Sequence, residues 1–182
     1  MPILHNSLLP LHPDPVIPPL SNTDARRALA LARSFVVVFL AVLVATRFFR
    51  VNVSPSVPYG LYRLTAVPPV LARGMLVMLP VPASVQPWHS RWVPFLKPVA
   101  AVAGEEVCVR DDRLWVAGVA YGPVYAAVAG KRLPRLAGCQ VIPEGAVFLA
   151  STAPRSLDGR YWGMTPVATL RTAAVPLLTW RK

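Results

Sequence analysis

The chain has 182 residues, room for one domain and a small appendage, and 54% of it is hydrophobic against 15% charged. Its 21 prolines disfavour a helical bundle and suit strands joined by rigid turns. A net charge of +11 suits nucleic acid or an anionic membrane, but the bases are scattered, with no Lys/Arg-rich run and no nucleic-acid-binding motif. No nucleic-acid partner is therefore expected.

Residues 1–24 hold Pro2, Pro10, Pro13, Pro15, Pro18 and Pro19 and read as an irregular tail. Ser21-Asn22-Thr23-Asp24 then offers helix N-caps. Residues 25–50 are rich in Ala, Leu, Val and Phe, and residues 34–46 carry no charge. That uncharged core is shorter than the roughly 20 residues a bilayer span needs. Extension back through residues 28–32 and forward through Phe48-Phe49 supplies the length, with Arg33 and Arg47 snorkelling to the interfaces. Three readings compete: a membrane anchor, a cleaved signal peptide and a buried core helix. The late start behind a Pro-rich tail weakens the second. Apolarity on all faces weakens the third. Arg26, Arg27 and Arg33 before the span predict a cytoplasmic N-terminus, with residues 51–182 outside; Arg47 and Arg50 dilute that signal.

Asn52-Val53-Ser54-Pro55-Ser56-Val57-Pro58-Tyr59-Gly60-Leu61-Tyr62 follows directly. Pro55 and Pro58 restrict φ on both sides of Ser56, so less entropy is lost in presenting its hydroxyl. Beyond it the texture is β: short apolar runs at residues 60–64, 75–79, 95–102, 106–110, 113–116, 119–121, 146–150 and 167–175, separated by turn residues. Ala117-Gly118 reads as a hairpin turn. The expected architecture is mainly β, a compact antiparallel domain on one N-terminal transmembrane helix. Trp88, Arg91, Trp92 and Phe95 suggest a lip at a lipid headgroup region, against the plainer reading of Trp packed in a core.

Cys108 and Cys139 have no C-x-x-C spacing and no histidine cluster nearby, so neither a metal site nor a cofactor is expected. Outside the cytoplasm they are candidates for one disulfide, with two unlinked buried thiols as the alternative.

A serine hydroxyl is a weak nucleophile until a base takes its proton. The histidines are His5, His12 and His89, and the first two lie in the tail. His89 sits in a Trp-flanked segment that reads as an interfacial loop. A cysteine nucleophile is disfavoured if the thiols are paired. Lys97 lies in the apolar run 95–102, whereas Lys131 and Lys182 have polar surroundings. A lysine acts as base only when neutral, so desolvation must depress its pKa. On spacing alone, Lys97 reads equally as such a base or as a strand lysine pointing into water.

Ser54, Ser56, Pro58 and Gly60-Leu61-Tyr62 resemble the catalytic box of type I signal peptidases, and the full Asn-x-Ser-x-Ser-x-Pro-x-Gly-Leu-Tyr run is most similar to the TraF-type peptidases of conjugative transfer. Three further segments agree in order: Arg73-Gly74-Met75-Leu76-Val77, the stretch from Leu96-Lys97 to Gly104-Glu105, and Ser156-Leu157-Asp158-Gly159-Arg160-Tyr161-Trp162-Gly163. Met75 and Glu105 stand where the family usually has Asp, and Gly159 where it has Ser.

The resemblance implies a signal-peptidase-type β domain and a role for each matched position. Ser56 would be the nucleophile and Lys97 its base. The Ser56 backbone N–H and the Ser54 hydroxyl would form the oxyanion hole. Ser156 would orient the Lys97 amine, with Asp158 and Arg160 as a supporting ion pair. The implied protein is a single-pass bacterial inner-membrane endopeptidase with a periplasmic catalytic domain. It would meet membrane lipid and cleave an exported precursor, a signal peptide or propilin, after small residues. The product could be a cyclic pilin. A non-catalytic, membrane-anchored component of a transfer or secretion apparatus is the alternative.

Overall fold

The structure, a computed structural model, describes residues 21–180. Most of the tail expected over residues 1–24 lies outside that range, as do His5, His12 and Lys182. The chain divides into two compact units between Leu43 and Val44.

Helix α1 (Asn22–Phe48) has 27 residues, none of them buried. Ser21 begins it: its Oγ accepts from the Asp24 N–H at 3.2 Å and donates to Asp24 Oδ2 at 2.6 Å, satisfying donors that a helix start leaves free. At 1.5 Å rise per residue the helix is about 40 Å long, against about 30 Å of bilayer hydrocarbon. It is long and apolar enough to cross a membrane. The helix stops two residues short of the expected end. Phe49 and Arg50 instead open strand β1 (Phe49–Asn52), paired with Arg63 and Tyr62. Aromatic and β-branched residues at 49 and 51 favour a ladder there over another helical turn.

The second unit adds strands β2 (Tyr59–Ala66), β3 (Leu76–Leu79), β4 (Phe95–Ala101), β5 (Glu106–Arg110), β6 (Arg113–Val116), β7 (Val119–Pro123), β8 (Ala127–Val128), β9 (Lys131–Arg132), β10 (Gly138–Val141), β11 (Ala146–Leu149), β12 (Thr165–Pro166) and β13 (Thr172–Trp180), with a short helix α2 (Gly159–Trp162) after β11. Seven strands form one sheet in the order β1-β2-β13-β3-β4-β11-β12, four form β10-β5-β6-β7, and β8-β9 is a separate hairpin. Every described strand pair is antiparallel. The Ala117-Gly118 turn joins β6 to β7 with positive φ at both residues, as a type I′ hairpin requires. Cys108 on β5 and Cys139 on β10 are directly opposed in the ladder and disulfide-bonded. The run at 167–175 is split: Val167–Thr169 forms a 3₁₀ turn, and β13 starts at Thr172.

Strand β4 positions the site. It lies between β3 and β11 and is buried on both faces along nearly its whole length. Side chains alternate along a strand. Phe95, Val99 and Ala101 enter the larger core with Val77, Leu79, Val147 and Leu149. Leu96 joins a smaller cluster with Val57, Tyr62 and Ala174. Lys97 shares the alternation of Phe95 and Val99, so a lysine is carried on a strand otherwise committed to apolar packing.

Gly60 has a steric reason. Its φ is +154°, and a Cβ there would overlap the Leu178 carbonyl oxygen and stand 2.9 Å from Thr179 Cα on β13. Gly60→Ala must therefore push β13 off β2. A loss of more than about 1 kcal/mol is expected in urea unfolding, and an unchanged midpoint would show that β13 yields freely.

Candidate active site

The segment between β1 and β2 is held by side chains rather than by a ladder. Asn52, 6% exposed, ends β1. Its Nδ2 donates to the carbonyls of Ser54 at 2.9 Å and of Val57 and Pro58 at 3.1 Å. Its Oδ1 accepts from the Ser54 N–H at 3.2 Å and from the Ser54 hydroxyl at 2.9 Å. The Tyr62 hydroxyl adds a 2.6 Å bond to the Pro58 carbonyl. Ser56 rides on this clamped segment, half-buried.

Lys97 reaches it from β4. The amine is buried, the residue being 3% exposed, and Nζ donates to Ser56 Oγ at 2.6 Å and to Ser156 Oγ at 2.9 Å. The two hydroxyl oxygens are 3.3 Å apart. Burial drives the Lys97 pKa down to about 8; Asp158 opposes that shift and Arg160 adds to it. The Phe95 ring lies 5.3 Å from Nζ.

Ser156 belongs to the loop that leads into α2, and that loop is anchored by a fully buried ion pair. Asp158 caps α2, accepting from the Arg160 N–H at 3.2 Å and Nε at 2.8 Å on Oδ1. Its Oδ2 accepts from the Ser151 N–H at 3.0 Å and Arg160 Nη2 at 3.1 Å. Arg160 also donates to the Pro123 and Ser151 carbonyls, at 2.8 and 2.7 Å. Burying two charges is tolerable when both are paired and their remaining polar atoms satisfied. Gly159 fits because a Cβ there would meet the Leu149 carbonyl at 2.8 Å and the Phe148 ring at 2.9 Å. A serine at that position would need the loop to move. Glu105 and Arg73 form an ion pair, and Glu105 Oε2 also accepts from the Val102 N–H at 2.8 Å, so the second and third matched segments are tied together.

Of the residues singled out in the sequence, Ser54, Ser56, Lys97, Ser156, Asp158 and Arg160 lie in one connected region. Asn52, Tyr62 and Ser151 join them; their part is written in hydrogen bonds that spacing does not disclose. His89 is not among the partners of Ser56: its Nε2 lies 3.0 Å from the Val93 carbonyl and its ring stacks on Phe95. Trp88 packs against the core, while Trp92 is 78% exposed beneath the Arg91 guanidinium. A cleft of about 280 Å³ opens at Ser56 and Lys97, walled by Ser54, His89, Phe95 and Leu96. Glu106, Cys108 and Cys139 also cluster, but the disulfide consumes both thiols and leaves no thiolate ligand.

The signal peptidase, peptidase S26, family matches residues 25–179, from the apolar helix into β13. The chain belongs to that family. Among its relatives, a conjugal transfer protein TraF of Agrobacterium tumefaciens (strain 15955) is 32% identical over 177 residues, covering 85% of this chain and 97% of the relative. A second, from Agrobacterium fabrum, is 31% identical over 151 residues, covering 72% and 83%. The plasmid transfer protein TraF of Escherichia coli is 28% identical over 149 residues, covering 72% and 83%. A solved signal peptidase I from Enterococcus faecalis V583 is 23% identical, with a TM-score of 0.34 over 60% of this chain and 97% of that one.

The buried pair in this signal peptidase family member makes a direct prediction. Arg160→Ala leaves Asp158 charged, buried and short of two hydrogen bonds, which costs about 3–5 kcal/mol. Urea unfolding should show that loss; a change below about 1 kcal/mol would mean the pair contributes little.

Proposed function

We propose that the protein is a membrane-anchored serine endopeptidase in which Ser56 is the nucleophile and Lys97 the general base. The observation that carries this reading is the 2.6 Å contact between Lys97 Nζ and Ser56 Oγ, made by an amine whose pKa is depressed to about 8. An ordinary lysine is almost wholly protonated at neutral pH and cannot accept a proton. This one is neutral in a useful fraction of molecules near pH 7, in about half of them near pH 8 and in most of them a unit above that.

In the reaction, Ser56 Oγ attacks the scissile carbonyl carbon as its proton passes to Lys97 Nζ. The C–N bond then breaks, and Lys97 returns the proton to the departing amine. An ester to Ser56 remains. Water resolves it to a free carboxylate, or an amine of the same substrate resolves it to a cyclic product. Ser156 keeps the amine aimed at Ser56, and Asp158 with Arg160 keeps Ser156 in place. The Ser56 N–H and the Ser54 hydroxyl receive the oxyanion, where one donor is typically worth roughly 2.7–4 kcal/mol.

Helix α1 supplies the anchor, with the N-terminus in the cytoplasm and the β domain in the periplasm. Eight residues lead from Phe48 to Ser56, at most about 28 Å of chain. A tether of that length limits how far Ser56 can stand from the end of the helix, which suits a substrate whose scissile bond lies close to its own membrane segment. The names of the relatives support a substrate in conjugation, and a pilin precursor cut after a small residue fits both family and location. A non-catalytic apparatus component would need neither a depressed amine nor its contact with Ser56.

Ser56→Ala and Lys97→Ala should each abolish precursor processing in cells while the protein stays folded and membrane-bound. Processing that persists in either variant contradicts the assignment. Below pH 8 the protonated amine is inactive, so kcat should rise about tenfold per pH unit and level off above about pH 8; an acidic optimum would refute a lysine base. Mass spectrometry of the product separates the two outcomes, the linear form being heavier by one water.

A further inference from the structure

The carboxamide of Asn52 is built around Ser54. Of its five hydrogen bonds, three go to that residue: Nδ2 to the Ser54 carbonyl, and the Ser54 N–H and hydroxyl to Oδ1. The other two, to the Val57 and Pro58 carbonyls, are partly duplicated, since Tyr62 also holds Pro58. A hydroxyl has one proton to donate. In this structure Ser54 spends it on Asn52 at 2.9 Å. Ser54 is exposed at the wall of the cleft beside Ser56, so its hydroxyl is free to turn.

We propose that Asn52 is a positioning residue that parks the oxyanion donor: it holds the Ser54 hydroxyl while the site is empty and releases it to the oxyanion as charge develops. This rests on the peptidase reading above. The exchange has a physical direction. The resting bond joins two neutral groups, whereas a bond to an alkoxide-like oxygen is charge-assisted and roughly twice as strong. A neutral substrate carbonyl competes with Oδ1 on nearly equal terms; the transition-state oxygen outcompetes it. Ser54 would thus favour the transition state over bound substrate, a difference that raises kcat rather than tightening substrate binding. No bond of Asn52 reaches Lys97 or Ser156, while its bonds to the Val57 and Pro58 carbonyls, backed at Pro58 by Tyr62, steady the backbone after Ser56.

The test is a double-mutant cycle on purified full-length protein with a precursor peptide, reading kcat, KM and the alkaline pH profile for wild type, Asn52→Ala, Ser54→Ala and the double variant. Ser54→Ala should lower kcat by roughly 100- to 1,000-fold, and Asn52→Ala by up to about 100-fold through a misplaced donor. KM should stay within about twofold, and the pH midpoint should not move. Because Asn52 acts through Ser54, the double variant should lie within about threefold of the slower single variant. Losses that multiply would overturn the proposal, as would a rise in KM without loss of kcat. Should Asn52→Ala fold poorly by circular dichroism, Asn52→Gln replaces it, since it keeps an amide donor for the carbonyls and an amide acceptor for the Ser54 hydroxyl. Its longer side chain carries that acceptor one methylene out of place, so kcat should fall, and the double variant with Ser54→Ala should again lie within about threefold of the slower single variant. Ser56→Ala run alongside keeps the two claims apart: full activity there sinks the peptidase reading itself, whereas additivity with an inactive Ser56→Ala sinks only the role of Asn52.

Discussion

A lysine side chain in an apolar interior is the constraint on which the rest of this site depends. Strand β4 is buried on both faces, and Lys97 is carried on it beside Phe95 and Val99. Removing an ammonium from water is expensive, and the cheapest escape is to lose the proton. The fold offers just enough polarity to hold a neutral amine, two serine hydroxyls at 2.6 and 2.9 Å. Asp158 pulls the pKa back up, but its charge is shared with Arg160, which pushes the other way. Desolvation wins.

Three separate chain segments meet at that amine, and each is fixed by a different device. Lys97 is placed by a central strand and its two ladders. Ser156 is placed by a loop that cannot shift without breaking the buried Asp158–Arg160 pair and its bonds to Ser151 and Pro123. Ser56 is placed by an irregular turn whose backbone is satisfied by the Asn52 carboxamide and the Tyr62 hydroxyl. The nucleophile role proposed for Ser56 needs exposure that a strand interior would deny it. A side-chain-clamped turn at a strand end gives exposure without freedom.

The central strands were legible because their apolar runs are bounded by Gly and Pro: 60–64, 75–79, 95–102 and 106–110 all sit within or against observed strands. Strands β8, β9 and β12 have two residues each, and β10 is exposed throughout, so none carries a periodic apolar signal. Helix α2 is a single turn set by its Asp158 cap rather than by a pattern. At the site, the resemblance of the four matched segments implied Ser56, Lys97, Ser156, Asp158 and Arg160, whereas spacing alone left Lys97 balanced between a buried base and a strand lysine in water. The bond between Ser54 and Asn52 spans two residues, but which hydroxyls meet the Lys97 amine depends on distances between segments up to a hundred residues apart. Spacing along the chain carries no such information.

The central claim is that burial brings the Lys97 pKa down to about 8, so that a useful fraction of the amine is neutral near physiological pH, in contact with Ser56. Its most direct test is the titration of the Lys97 side chain itself, followed by NMR with ¹³C-labelled lysine in the full-length protein, with Lys97→Arg assigning the resonance. The account predicts a midpoint near 8. A midpoint near the ordinary 10.5 would contradict it, because the amine would then be charged where a base is required.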